Sequence, residues 1–381
     1  MESKNLLLHS APLADPATVV RQDLDGVTIE CHRQGIPADI EPELEALYGS
    51  LFSSLAHFRV YGGAENASTY VARAGGKAIA IFLFRIEGGT VRVVNEWMPL
   101  DDAEAGRFAR YIFASHPSVG AIVFGAVAAT LSRPGFPCQR VDITEDSVLT
   151  LPASGEAFAE MLGKSTRTNI RYYLNKLKKD FPSFRFTVYR GSEADEDDMR
   201  NIVLLNRVRM RNKRKVSANG DAALEKILRL AHAAGLVGVA TVDGRLCAGV
   251  IGYRIGDHFF SWVRAHDPAF DGYRLGRLTA YLMIGEAIAR GVREYHFMWG
   301  REEHKALLQG VERRFHRVIL YRSRRHLLRH APTALRALYD GRVRRLRLWL
   351  QDASRRDDRV SRLATRTLDV ARRLKHWLAE R

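Results

Sequence analysis

Cysteine is scarce in this chain of 381 residues: Cys31, Cys138 and Cys247 are far apart and odd in number, which argues against a disulfide framework and a cysteine-based zinc site. Long apolar runs are missing too. The best, Ala121 to Leu131, is too short for a membrane-spanning helix. The opening M-E-S-K-N-L-L-L-H-S has an acidic residue early and only three leucines, which predicts no signal peptide and a reducing, cytoplasmic compartment. No G-x-S-x-G, H-E-x-x-H or G-x-G-x-x-G occurs. Gly163-Lys164-Ser165 looks like the end of a phosphate-binding loop, but Phe158 stands where its first glycine must be, so nucleotide hydrolysis is set aside. His296, His304 and His316 fit no common ligand spacing, so no metal is expected.

What is present suits a globular protein: 46% hydrophobic, 27% charged and 9% aromatic residues give ample material for a core. The length predicts two domains and a remainder. Charge is uneven. The formal net charge is +16, yet residues 322–381 hold 18 Arg and Lys against 6 Asp and Glu, so most of the basicity belongs to the tail.

Pro42 opens a helix whose apolar face carries Leu44, Leu47, Leu51 and Leu55. Short strands follow at Ser68 to Ala72, Ala78 to Phe84 and Val91 to Val94, the first two joined by the turn Gly75-Gly76. Asp101 caps a helix running to Ser115, and Ala121 to Phe124 reads as a buried strand. The second half has the same style. A basic helix runs from Ser165 to Lys179, a strand from Phe184 to Tyr189, and Ser192 with Asp195 forms a capping box. A helix from Asp221 to Gly235 leads into a three-stranded meander with turns at Asp243-Gly244 and Gly256-Asp257. The helix Tyr273 to Arg290, stopped by Gly291, feeds a strand Arg293 to Met298, and a last strand falls at Phe315 to Tyr321. Shifting by 168 residues lays Val71–Ile81 on Val239–Gly249 with four identities in eleven positions, which suggests a duplicated unit.

The informative stretch is His266 to Gly310. A helix N-terminus carrying Arg274, Leu275, Gly276 and Arg277 offers free backbone amides, a favourable dipole and two guanidinium groups, as a pyrophosphate requires. The following strand ends at Trp299-Gly300, where a sharp turn brings His304 and Lys305 to the same sheet edge. This stretch resembles the GNAT (Gcn5-related) acyltransferases, in particular their CelD/BioF-like acetyltransferase branch. Gly276, Leu278, Ala287, Ile288, Gly291, Tyr295, Phe297, Gly300 and Lys305 match that branch's pattern. His296 stands in place of its Asp, His304 in place of its Tyr, and Asp271 at the Arg/Gln position of its acyl-CoA arm. The resemblance implies an α/β fold of tandem GNAT-like units similar to the Fem-type transferases. Each unit is a mixed, mostly antiparallel sheet flanked by helices, with domains at 1–150 and 151–321 and a basic helical tail at 322–381.

The resemblance further implies an N-acyltransferase that uses acyl-CoA, typically acetyl-CoA, without a metal. A primary amine, such as an amino sugar of an envelope or exopolysaccharide pathway, would be the acceptor. In that reading Arg274, Leu275, Gly276 and Arg277 hold the cofactor, His296 serves as base, Lys305 supports the oxyanion, and Trp299 and His304 line the acceptor cleft. Two other readings stand beside it. An aminoacyl-tRNA donor would use the basic helix around Arg167, Arg171, Lys176, Lys178 and Lys179; a non-catalytic scaffold would use the tail on an anionic membrane or nucleic acid. Within the tail, Val360, Leu363, Val370, Ala371, Leu374, Trp377 and Leu378 form one apolar face among arginines, suited to a membrane interface; packing on the body or a homodimer is the alternative. The full chain is therefore expected to sediment with anionic vesicles at low salt, and a chain ending at Ser323 to stay in solution. Equal recovery of the two would make the tail purely structural.

Overall fold

Each half of the chain is organised around one tight hairpin. Gly75, Gly76, Asp243 and Gly244 all have positive φ (55°, 80°, 50° and 74°), the backbone that a two-residue hairpin turn demands. The computed structural model describes residues 19–24, 26–212 and 220–353. The first half runs β1 (Val19–Leu24), β2 (Val27–His32), α1 (Ile40–Tyr48), α2 (Leu55–Tyr61), β3 (Ser68–Ala74), β4 (Lys77–Glu87), β5 (Thr90–Val93), β6 (Pro99–Asp101), α3 (Asp102–Ser115), β7 (Ala121–Thr130) and β8 (Cys138–Thr150). There follow α4 (Gly155–Met161), α5 (Lys164–Asp180), β9 (Arg185–Arg190), α6 (Glu196–Asn212), α7 (Asp221–Ala234), β10 (Gly235–Val242), β11 (Arg245–Ile255) and β12 (His258–His266). The second half then closes with α8 (Leu275–Ala289), β13 (Glu294–His296), α9 (Glu303–Leu307) and β14 (Val311–Tyr321), before α10 (Arg324–Arg329) and α11 (Ala331–Ala353).

Among the described residues the strands form a single sheet in the order β1-β2-β3-β4-β5-β7-β14-β8-β13-β12-β11-β10-β9, with β6 beside β7. The runs β2-β3-β4-β5-β7 and β9-β10-β11-β12-β13 repeat one pattern. Three antiparallel pairings are followed by a parallel one, crossed over by α3 in the first half and α8 in the second. The shift of 168 residues carries β4 onto β11 end to end. The two remaining strands are exchanged: β14 pairs with β7 on one side and β8 on the other, and β8 pairs with β13. Residue 150, where a division is expected, ends β8, a long strand without a turn signal or clean alternation that is paired on both sides with strands of the second half.

Packing follows from the patterning. Asp101 caps α3, its carboxylate accepting from the Glu104 amide at 2.9 Å. Phe108 of that helix is fully buried among Tyr70, Phe82, Phe84 and Phe124, and its truncation would cost about 3–5 kcal/mol. The second half is cored on both faces, with α5 and α8 on one and α6 and α7 on the other.

Three local expectations need correction. The helix drawn through Leu44 to Leu55 breaks at Gly49, a left-handed C-cap (φ 51°) where there is no room for a side chain, since a Cβ would lie 2.8 Å from the His258 ring. Ser50 and Ser53 then donate their hydroxyls to the Glu96 carbonyl at 2.8 and 2.7 Å, tying down the connection. The helix expected after Ser192 is capped by Asp195, whose carboxylate accepts from the Asp197 amide at 2.7 Å. The strand expected over Arg293 to Met298 is only β13, since Met298 turns out of the sheet with φ 64°. In the tail, α11 lies on β8: Gln139 donates to the Ala334 carbonyl at 2.8 Å, and Arg344 pairs with Glu145. The apolar face expected from Val360 to Leu378 lies outside the described residues.

Because β14 is central to the sheet, deleting it should unfold both halves. Urea unfolding of the full chain should then be a single transition with the same midpoint by fluorescence and circular dichroism, whereas a chain ending at Gly310 should lack it. Two separated transitions would mean that the halves are stable apart.

Candidate active site

The site begins with an incomplete strand pairing. Parallel strands β12 and β13 are bonded only over His258↔Glu294, Phe259↔Tyr295 and Phe260↔His296; beyond that β13 ends and β12 runs on alone to His266. A bulge sits where they part. Against β11, Ser261 opposes Gly252 and Val263 opposes Ile251, leaving Trp262 as the extra residue. One extra residue reverses the alternation. Val263 and Ala265 therefore join Phe260 in the core under α6 and α7, while Arg264 and His266 turn to the α8 face.

A cleft of about 450 Å³ opens there, lined by Arg264 and His266 from β12, Arg274, Gly276 and Arg277 at the start of α8, Arg209 from α6, and Glu302 and His304 beyond β13. Arg274 has φ 53° and stands at the N-cap of α8. Gly276 is obligatory for space, since a Cβ would sit 2.8 Å from His266 Nδ1; that imidazole is itself held by Asp271 at 2.7 Å. The first-turn amides of α8 have no intrahelical acceptor, and with four arginines around them they make a site for a polyanion. Arg264 Nη2 donates to His304 Nε2 at 2.5 Å. Burial and that guanidinium push the His304 pKa down to about 3, so His304 is a neutral acceptor in this cleft.

A second cleft, of about 180 Å³, has the opposite character: Glu145, Asp146, Glu302, Glu303 and Glu312 line it, with Arg301 and Lys305. Asp146 is its best-placed acid. Its Oδ2 accepts from His296 Nδ1 at 2.6 Å, and its buried Oδ1 has no partner. Glu302 lines both clefts. Burial favours its neutral form, but the cations Lys305 and Arg264 beside it hold its carboxyl below the usual range.

Of the residues singled out from the sequence, Arg274, Gly276, Arg277 and His304 come together in the cationic cleft. Leu275 has its side chain wholly in the core, so only its backbone can serve a ligand. Trp299 is 48% exposed and packs at the junction of the halves against Phe52, Trp97 and Trp262, with ring centroids 6.0, 6.0 and 5.3 Å away. His296 does not line the cationic cleft: it is 3% exposed and stacked on Phe260, with Nδ1 against Asp146 and Nε2 against His258. Asp146, Arg209, Arg264 and Glu302 escaped the sequence reading. Arg264 was masked by the bulge, whereas Glu302, three residues before Lys305, was open to being picked.

Lys305, read from the sequence as support for the oxyanion, is only 5% exposed. Its ammonium donates to the carbonyls of Met298 at 2.9 Å and Trp299 at 2.5 Å, clamping the turn that ends at Gly300 (φ 91°). Lys305→Ala should consequently lower stability by about 1.5–3 kcal/mol. Burial also lowers the Lys305 pKa from 10.5 to about 8, so between those values the unfolded chain binds more protons and stability rises with pH. Denaturation at pH 7.5–10 should show that rise in the parent and not in Lys305→Met.

Comparison with known proteins agrees with this architecture. Residues 164–306 match the acetyltransferase (GNAT) domain family. No curated protein matches the sequence. Among solved structures, FemX is similar with a TM-score of 0.52 and 11% identity over 72% of this chain and 95% of its own. A tandem GNAT protein from the clavulanic acid biosynthesis pathway has a TM-score of 0.36 and 11% identity, over 76% of this chain and 97% of its own. A conserved protein of unknown function from Bacteroides thetaiotaomicron VPI-5482 has a TM-score of 0.46 and 14% identity, over 75% and 98%. The duplicated sheet, the wedge between β12 and β13 and the helix start beside it therefore have one description: the chain has a GNAT fold in a Fem-like tandem arrangement, and its residues 164–306 match the acetyltransferase (GNAT) domain family.

Proposed function

We propose that the protein is an N-acyltransferase that moves an acyl group from acyl-CoA to a primary amine. The observation that carries this reading is the meeting of a cationic and an anionic cleft at Glu302, beside strands that part. The first turn of α8 with Arg274 and Arg277 receives the pyrophosphate of the donor, and the unpaired edge of β12 offers backbone groups to an extended arm bearing amides. The acidic cleft draws in the acceptor as an ammonium ion, with Asp146 Oδ1 as its partner and His296 holding the Asp146 carboxylate in place. Glu302, on the border of the two clefts, holds the ammonium as a carboxylate and hands its proton on through water to solvent before the free amine attacks the thioester. The C–N bond forms, the C–S bond breaks, and the proton that the attacking nitrogen then sheds goes to the departing thiolate. In this reading Glu302 takes the role first given to His296, and Lys305 shapes the turn between the clefts.

An aminoacyl-tRNA donor is the second reading. It is favoured by α5, whose Lys164, Arg167, Arg171, Lys178 and Lys179 are exposed alongside the turn that leads into the cationic cleft. Peripheral membrane contact also stays within the proposal, since α11 exposes Leu335, Tyr339, Leu346 and Trp349 among arginines.

Calorimetric titration separates the donors. Acetyl-CoA should bind the parent, and Arg277→Glu should weaken it at least about tenfold, the loss of one charge-assisted contact. That variant is a cleaner probe than Gly276→Glu, which would also strike His266. Unchanged binding in Arg277→Glu would remove the cradle; tRNA binding with a steep salt dependence and no acetyl-CoA binding would favour the second reading.

A further inference from the structure

On the face of the sheet away from α8, three side chains converge that the proposed chemistry does not use at their meeting point. His258 Nδ1 lies 3.1 Å from His296 Nε2, and Glu294 Oε2 lies 3.6 and 3.5 Å from those two nitrogens. The strand register brings them there: His258 pairs with Glu294 and Phe260 with His296, so all project from one face of two adjacent parallel strands.

The outer nitrogens decide the tautomers. His296 Nδ1 is 2.6 Å from Asp146 Oδ2, so its proton belongs there and Nε2 carries the lone pair. His258 Nε2 lies 3.3 Å from Asp257 Oδ1, and a proton held there leaves Nδ1 with its lone pair as well. In that tautomer two lone pairs and a carboxylate oxygen point at one another, and the nearest donor, Arg313, sits behind the carboxylate on Glu294 Oε2. Such an arrangement is repulsive unless a cation fills it. We propose that His258, Glu294 and His296 bind a divalent transition-metal ion, of which zinc fits best.

The distances support zinc. With bonds of about 2.0–2.1 Å and tetrahedral angles, donor atoms stand about 3.4 Å apart. The three observed separations bracket that value. Two imidazoles and one carboxylate leave a fourth position for water, and each imidazole has a carboxylate behind it, the outer arrangement typical of zinc-bound histidine. Arg313 holds both Glu294 oxygens, at 2.9 and 2.8 Å, which orients the carboxylate. Gly49 is packed against the His258 ring and fixes its plane. His296 is buried, whereas His258 and Glu294 are half-buried and give an ion access. Its place gives the ion a structural role: it would pin β12 to β13 at the root of the wedge, where their hydrogen bonding stops.

Cobalt substitution tests this on the full-length protein stripped with a chelator and desalted. Adding Co²⁺ alone should produce the intense visible bands of a four-coordinate site, saturating at one equivalent, and Zn²⁺ should bleach them. His258→Ala should weaken Co²⁺ binding by more than about a hundredfold, beyond what loss of an outer-shell partner costs, and Asp146→Asn by about ten- to a hundredfold. His232→Ala, on the exposed end of α7, should bind as the parent does. Parent protein that shows no cobalt bands and retains no zinc after desalting overturns the proposal, whatever the folding of the variants. Undiminished binding in a folded His258→Ala overturns it too.

Discussion

The parallel pairing of β12 with β13 lasts for three residues and then fails, and most of what is distinctive in the molecule depends on that failure. Parallel neighbours need a crossover, here α8, and their hydrogen bonds hold only while both strands stay in the sheet. The bulge at Trp262 bends one strand away, and the left-handed turn at Met298 takes the other out. Backbone groups of β12 are thereby left available at a protein surface rather than spent on a neighbour. The helix that crosses between the strands starts at the open end of the gap, so its unsatisfied amides and arginines face the same space.

Charge then divides that space. Arginines from α6, β12 and α8 cluster on the α8 side, while carboxylates from β8 and the turn before α9 gather on the other. Like charges brought this close would destabilise the fold unless the opposite sign lay nearby. Glu302 and Lys305 supply it at the border, each with its acidity shifted by its surroundings. An anionic donor and a cationic amine would meet at such a border without competing for one site.

The exchange of β8 and β14 makes this arrangement rigid. Asp146 comes from the first half and His296 from the second, 150 residues apart, yet they share a hydrogen bond because β8 pairs directly with β13. The first half also supplies Gly49 behind His258 and Trp97 beside Trp299. The duplicated unit is thus a wall of the site as well as a copy of its architecture.

Local chemistry was legible in the sequence. The Gly75-Gly76 and Asp243-Gly244 turns, the Asp101 cap, the basic helix α5 and the arginine-glycine start of α8 each follow from a few neighbouring residues. So did the repeat that carries β4 onto β11. Beyond that reach the tertiary structure decided. A bulge changes which face Arg264 presents without changing composition or spacing, so strand alternation could not reveal it. Lys305 reads as a surface ammonium until the turn at Met298 and Trp299 wraps its carbonyls around it. His258, Glu294 and His296 have no ligand spacing along the chain, since they meet only through the register of two parallel strands separated by a whole helix. Propensity acts over a few residues, whereas pairing register and burial are set by contacts between distant ones.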